Sequence, residues 1–118
     1  ADLIRRVPTN EDWILSHTGI RERRAAPKGM DTSDLGAAAT RHALERAGWD
    51  PRRLQLLVCA TSTPDRLIPA TANYIGQKLA IDPIAFDVNA ACSGFVYGLA
   101  VARGLVETLG LERAALCT

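Results

Sequence analysis

The sequence contains no apolar run of membrane-spanning length, and its first six residues lack the charged-then-apolar order of a secretory signal. It also has no excess charge of one sign, since 14 basic and 13 acidic side chains give a net charge of +1. The basic residues are scattered, whereas a nucleic-acid-binding face would concentrate them. We therefore expect a soluble chain with no membrane span and no nucleic-acid partner.

Cysteine is scarce and odd in number. Cys59, Cys92 and Cys117 cannot all pair, and the first and last lie in apolar runs typical of buried strands. We expect free thiols and a reducing, cytoplasmic setting. The 118 residues, 47% hydrophobic and 23% charged, have a globular composition, and they contain neither an internal repeat nor a long Gly/Ser/Pro-rich linker.

Helix-type and strand-type patterns alternate along the chain. The predicted helices are residues 10–18, 34–47, 72–79 and about 92–109, and the predicted strands are 54–60, 85–88 and 114–118. This alternation indicates an α/β layered fold with a mainly parallel sheet. Thr9 is the predicted N-cap of the first helix, and Thr32 or Ser33 that of the second. The second helix is expected to bury Leu35, Ala38, Ala39, Ala43, Leu44 and Ala47.

Cys92 stands where a short apolar strand runs into a long helix. Free backbone N–H groups and the positive end of the helix dipole favour an anion there, and so a thiolate over a thiol. An isolated free cysteine is more often a small buried side chain. Here, however, the neighbours are all small, which leaves room for a substrate atom to approach the sulfur. The pattern predicts a nucleophile. The small neighbours are Ala90, Ala91, Ser93 and Gly94.

Two further features concern the surroundings of Cys92. The polar stretch Thr61–Thr63 follows a predicted strand, and ligands of α/β folds bind at the carboxyl ends of strands, so we expect this stretch and Cys92 to share one rim. The helix after Cys92 is apolar nearly all round and would have to be buried on every side. The other predicted elements cannot cover it, so we expect residues 1–118 to be a piece of a longer polypeptide.

Several motifs together resemble the β-ketoacyl-acyl-carrier-protein synthase III family of the thiolase superfamily. They follow one another in order over nearly the whole chain. The matching stretches are Thr9–Ile14, Thr18–Arg23, Ala39-Thr40, Ala47-Gly48 and Phe86–Phe95. The resemblance implies a thiolase-like layered fold, a mainly parallel sheet with a buried central helix. Residues 1–118 would be part of its N-terminal domain, with the first strand and the C-terminal half absent.

The resemblance also implies a reaction. Cys92 would attack an acyl-CoA thioester, become acylated, and pass the acyl group to malonyl-acyl carrier protein in a decarboxylative condensation that starts a fatty-acid or polyketide chain. The implied partners are acyl-CoA, acyl carrier protein and a second copy in a homodimer. No metal and no cofactor beyond the CoA thioester substrate are implied. The family's decarboxylating histidine and asparagine have no counterpart here, so we expect the fragment alone to be inactive.

Four more residues match substrate positions of the family. Trp13, with Thr9 nearby, would hold the CoA adenine. His17 stands where the family commonly has an arginine on the CoA phosphates, and a neutral imidazole is a poorer phosphate partner. Ile68 would reach the acyl pocket of the neighbouring subunit, with room for a longer or branched primer. Core packing for Trp13, simple exposure for His17 and loop packing for Ile68 are the ordinary alternatives. We expect His42 to be an exposed helix residue.

Two other functions remain open. A related thiolase-fold acyltransferase could use the same cysteine to acylate a hydroxyl, an amine or another small acceptor without condensation. A non-catalytic partner subunit is the second alternative, and Cys92 weighs against it because such subunits usually lose the nucleophile.

Overall fold

The computed structural model describes residues 4–118 and confirms the α/β class. Strands alternate with helices, and each apolar run in the sequence forms one element. Two short 3-10 turns, Pro51–Arg53 and Ala91–Ser93, interrupt the order. The elements are α1 (Glu11–Thr18), α2 (Thr32–Ala47), β1 (Leu56–Ala60), α3 (Thr71–Leu79), β2 (Ile84–Val88), α4 (Gly94–Leu109) and β3 (Ala114–Cys117).

The three strands form one parallel sheet in the order β2-β1-β3, with Val58 of β1 opposite Phe86 and Leu116. Helices α2 and α3 cover one face and α4 covers the other. Because β1 is central, all five of its residues are buried. Side chains alternate between the two faces of a strand, so apolar residues are needed at every position, as the sequence of β1 predicts.

The buried face of α2 differs from the predicted one. Leu44 alone of the six predicted residues is buried, and Leu35 is 49% exposed. A Cβ on Gly36 would lie 2.5 Å from Cδ1 of Ile75, so the missing side chain lets α2 approach α3 closely. Because α2 contacts α3 on the side that carries Gly36, the buried face of α2 consists mainly of small and polar residues. The buried residues of α2 are Ser33, Gly36, Ala37, Thr40 and Leu44.

Both predicted N-caps are wrong by one or two positions. Asn10 caps α1, its Oδ1 accepting a 2.8 Å hydrogen bond from the N–H of Trp13, while Thr9 lies outside the helix. Asp31 precedes α2, and its N–H donates to the Asp34 carboxylate at 2.9 Å. Asparagine and aspartate cap helices at least as well as threonine, so neighbouring candidates could not be separated by residue type.

Helix α4 uses its smallest residues against the sheet. Gly94, Gly98 and Ala102 are its buried residues, and a Cβ on Gly98 would lie 2.7 Å from Cδ1 of Leu116. The described residues also half-bury Leu105 and Val106 on this side, and most of the other apolar side chains of the helix are exposed. Five large side chains of α4 are each more than half exposed: Phe95, Val96, Tyr97, Leu99 and Leu109. Within residues 4–118, every helix is too short or too polar to cross a membrane.

Candidate active site

The loop after β1 and the end of β2 lie side by side, at the carboxyl edge of the sheet where we expect the rim. The N–H of Thr61 donates to the carbonyl of Val88 at 3.1 Å, so the parallel pairing continues one residue beyond β1. The hydroxyl of Ser62 then donates to Oδ1 of Asn89 at 3.2 Å. The polar loop therefore borders the chain that leads from β2 to Cys92.

Cys92 is exposed and lies in the 3-10 turn Ala91–Ser93, which we name the Cys92 turn. The prediction that it lies in the first turn of the long helix is corrected here, since α4 begins at Gly94. Ala91 has a φ of +45°, a conformation that costs a residue with a Cβ about 1–2 kcal/mol. Such strain is concentrated at functional sites because the surrounding structure must hold it.

Glycine at position 94 brings the Cys92 turn close to the sheet. A Cβ there would lie 3.3 Å from the Cβ of Ala60, the last residue of β1. Gly94, which the sequence pattern predicts to leave room for a substrate, therefore also lets the turn pack against the sheet. Both roles favour a small side chain, so the sequence pattern could not distinguish them.

Asp87 anchors the strand that carries the site, and sequence reasoning missed it. Its two carboxylate oxygens accept hydrogen bonds from the N–H groups of Thr71 and Ala72, at 2.7 and 2.8 Å. An anion at the first turn of α3 satisfies donors that the helix itself leaves free. The signal was available as one acidic residue within an apolar strand, but its partner lies 16 residues away.

Asp65 holds the loop between β1 and α3 in a similar way. Its Oδ1 accepts from the N–H of Ser33 at the start of α2, at 2.9 Å, and its own N–H donates to Oγ1 of Thr71. Further along this loop, Leu67 and Ile68 are 91% and 82% exposed. The loop-packing alternative for Ile68 is therefore wrong within the described residues.

Three predicted substrate residues meet at α1, and we name Thr9, Trp13 and His17 the Trp13 cluster. The Trp13 side chain is 54% exposed, so the core-packing alternative is wrong. His17 stacks on it, with ring centroids 4.3 Å apart and an 18° angle between planes. Oγ1 of Thr9 is buried without a hydrogen-bond partner, beside a shallow groove that Trp13 also lines. His42 is exposed, as expected.

The other two cysteines lie in the layer between the sheet and α2. Cys59 and Cys117 are opposite each other in the β1–β3 register, and Cys59 is buried. The contact with Cys117, together with burial, raises the pKa of Cys59 well above its usual range. A neutral buried thiol is a weak nucleophile. All three cysteines are unpaired, and Cys92 alone of them is exposed.

Comparisons with known proteins agree with the sequence motifs. The family model described as 3-oxoacyl-[acyl-carrier-protein (ACP)] synthase III matches residues 86–118, which include the Cys92 turn. A β-ketoacyl-[acyl-carrier-protein] synthase III of Sulfurimonas denitrificans is 43% identical over 117 residues, 98% of this chain and 35% of that protein. The protein of the same name from Roseiflexus sp. strain RS-1 is 52% identical over 109 residues, 92% of this chain and 33% of that protein.

A solved structure shows the same fold. The crystal structure of 3-oxoacyl-[acyl-carrier-protein] synthase III from Aquifex aeolicus VF5 matches with a TM-score of 0.87 and 34% identity, over 98% of this chain and 37% of that one. The chain thus spans about a third of the length of the relatives it matches. The resemblance and the thiolase-like α/β fold predicted from sequence are confirmed.

Proposed function

We infer that this chain, which is similar to about a third of a β-ketoacyl-acyl-carrier-protein synthase III, supplies the nucleophile of an acyl-transferring enzyme. One observation carries the inference. Cys92 is the exposed cysteine, and it lies on a strained turn between β2 and α4, beside the polar loop that follows β1. An exposed nucleophile on the turn that leads into a helix is accessible to substrate, beside backbone N–H groups that the helix leaves unpaired.

The proposed first step is transfer of an acyl group from CoA to Cys92. The thiolate adds to the thioester carbonyl, the carbonyl oxygen becomes an oxyanion, and collapse of this intermediate expels the CoA thiolate. The backbone N–H of Cys92 would donate to that oxyanion. In the second step, malonyl-acyl carrier protein loses carbon dioxide and its carbanion attacks the acyl-cysteine, which frees the Cys92 thiolate. This starts a fatty-acid chain, or a polyketide chain if the primer differs.

The second step requires groups from elsewhere in the enzyme. The family resemblance implies that the histidine and asparagine of decarboxylation lie outside residues 1–118, so we propose that condensation occurs in the whole protein only. The Cys92 turn would contribute the acyl-enzyme and α4 would support it. No metal is part of this proposal.

Substrate and partner roles follow from the resemblance and are supported by exposure. The open indole of Trp13 would contact the CoA adenine, and Thr9 lines the same groove. Ile68, which is exposed, would meet a second copy of the chain at its acyl pocket in a homodimer. The cytoplasmic location remains a prediction that rests on the unpaired cysteines.

The test uses the whole protein, treated separately with iodoacetamide and with acetyl-CoA, followed by mass spectrometry of its peptides. We expect both reagents to modify Cys92, and Cys92→Ala to lose both modifications. Cys117→Ala is the matched control, because it removes a thiol from the sheet and leaves the Cys92 turn intact. Acylation at Cys59 or Cys117 in place of Cys92 would overturn the proposal.

A further inference from the structure

The stacked pair on α1 is held by more than ring contact. Nδ1 of His17 lies 2.9 Å from the carbonyl oxygen of Trp13, one helical turn earlier, and 3.1 Å from the hydroxyl of Ser16. A carbonyl only accepts hydrogen bonds, so Nδ1 carries the proton that it donates to Trp13. In the neutral imidazole, Nε2 is then left as an acceptor.

The partner ring is also fixed. Asn10 caps α1 through the N–H of Trp13, at 2.8 Å, so the tryptophan backbone is tied on one side by the cap and on the other by His17. With the imidazole against one face, the indole offers a ligand its other face and its edge. Since the side chain is 54% exposed, this remaining surface is open to a planar group.

The groove beside the indole favours one kind of ligand group. Pro8, Thr9, Asn10 and Trp13 line it. Oγ1 of Thr9 is buried beside this groove without a partner, and its side chain would have to move to bond to a heteroatom of a stacked base. A planar heteroaromatic ring therefore fits these residues better than a saturated chain does.

We propose that His17 is a positioning residue that holds the Trp13 indole so that the purine base of the thioester donor stacks on its free face. This rests on the proposed function, because it takes the donor to be a CoA thioester. His17 contributes its ring in this assignment, and ionic contact with a phosphate has no part in it. Recognition of the nucleotide then depends on stacking and only weakly on salt, whereas ion pairs with phosphate are screened.

The experiment measures binding of desulfo-coenzyme A to the whole enzyme, in parallel with acylation of Cys92 by two donors, acetyl-CoA and acetyl-pantetheine. Acetyl-pantetheine has no nucleotide and cannot report on stacking. The variants are His17→Ala, which removes the ring, and His17→Phe, which keeps an aromatic ring without its nitrogens. His42→Ala is the matched control, an exposed histidine on α2.

We expect His17→Ala to weaken desulfo-coenzyme A binding by about 2- to 10-fold, the range of one aromatic contact. KM for acetyl-CoA rises by the same factor while kcat holds, and acylation from acetyl-pantetheine is unchanged. His17→Phe restores binding to within about twofold, and His42→Ala changes nothing. The fold-loss caused by His17→Ala is the same at low and at high salt, because the stack carries no ion pair.

Three results would overturn the inference: unchanged binding in His17→Ala, equal loss in His17→Phe, or a parallel loss of acylation from acetyl-pantetheine. The proposed function fails by a separate result. If neither donor acylates Cys92, that function is wrong, while binding of desulfo-coenzyme A still reports on the Trp13–His17 pair by itself.

Discussion

The Cys92 turn and the Trp13 cluster are built in opposite ways. The turn lies between a strand anchored through Asp87 and a helix that contacts the sheet through glycine, so long-range contacts hold it. The Trp13 cluster lies on α1, which has no buried residue and whose order comes from local hydrogen bonds. Reaction chemistry needs tightly fixed atoms, and nucleotide recognition can use a locally ordered, open surface.

The largest expected effect comes from removing the nucleophile. Cys92→Ala should abolish acylation from both donors, since no other exposed thiol is found among the described residues. Because the side chain is exposed, the free energy of unfolding should change by less than about 0.5 kcal/mol. Intact-protein mass spectrometry measures the acylation, and urea unfolding measures the free energy of unfolding. Residual acylation, or large destabilisation, would mean that Cys92 has a structural role.

Removing the indole of Trp13 should weaken binding of the CoA nucleotide and leave the acylation chemistry of Cys92 unchanged. Trp13→Ala is expected to weaken desulfo-coenzyme A binding about 5- to 150-fold, the range found when a base loses its aromatic stacking partner. Acylation from acetyl-pantetheine should be unaffected. Isothermal calorimetry and a donor comparison provide the readouts, with Trp49→Phe as control. Loss of activity with both donors would contradict the separation of the two regions.

A methyl group added to α4 where it contacts the sheet should lower the stability of the fold, whereas removing the indole should weaken only CoA binding. Gly98→Ala places a Cβ 2.7 Å from Cδ1 of Leu116, and overpacking of about 1–3 kcal/mol, offset by the helix gain of about 0.5–1 kcal/mol and by movement of Leu116, leaves a net loss of stability of up to about 2.5 kcal/mol. Gly104→Ala is the matched control on the same helix, since a Cβ there meets nothing within 4 Å and the helix gains about 0.5–1 kcal/mol. Urea unfolding should separate the two variants. Equal effects would show that α4 does not pack on the sheet through Gly98.

The smallest expected effect is a pH dependence far from both regions. The Lys78 ammonium donates to Asp34, and this hydrogen bond, followed by that from the Asp31 backbone, holds the pKa of Asp34 below its usual value of 3.8. Because the folded-state pKa is lowered, the contribution of this pair is present above that value and is lost as pH falls through the folded pKa.

Lys78→Gln should accordingly lower the Tm slightly at pH 6 and have a vanishing effect near pH 2. Both side chains are exposed to water, so added salt should also reduce the difference. Thermal unfolding of the two proteins across this pH range is the measurement. A difference that persists at pH 2 would show that Lys78 acts through something other than charge.

The parts of the fold that sequence predicted well are those set by local pattern. The buried run of β1 defines a central strand by its own chemistry, because every position is apolar. The buried face of α2 could not be predicted, because the contact of Gly36 with Ile75 depends on a helix 35 residues further along. Asp87 was missed for the same reason.

The stack of His17 on Trp13 was within reach of the sequence. Two rings four positions apart on one helix lie on the same face, and a hydrogen bond to the earlier carbonyl is available to histidine at that spacing. The family resemblance instead predicts a phosphate contact at this position, and that contact stays a prediction. The local geometry was the better guide to where the side chain lies.

The backbone conformation of Ala91 limits which side chains can stand at that position. With φ at +45°, the residue before the thiol tolerates glycine, alanine or asparagine, whereas a β-branched side chain would force the backbone to swing away. Any redesign of the surroundings of Cys92 therefore has to leave this position small and to change side chains elsewhere.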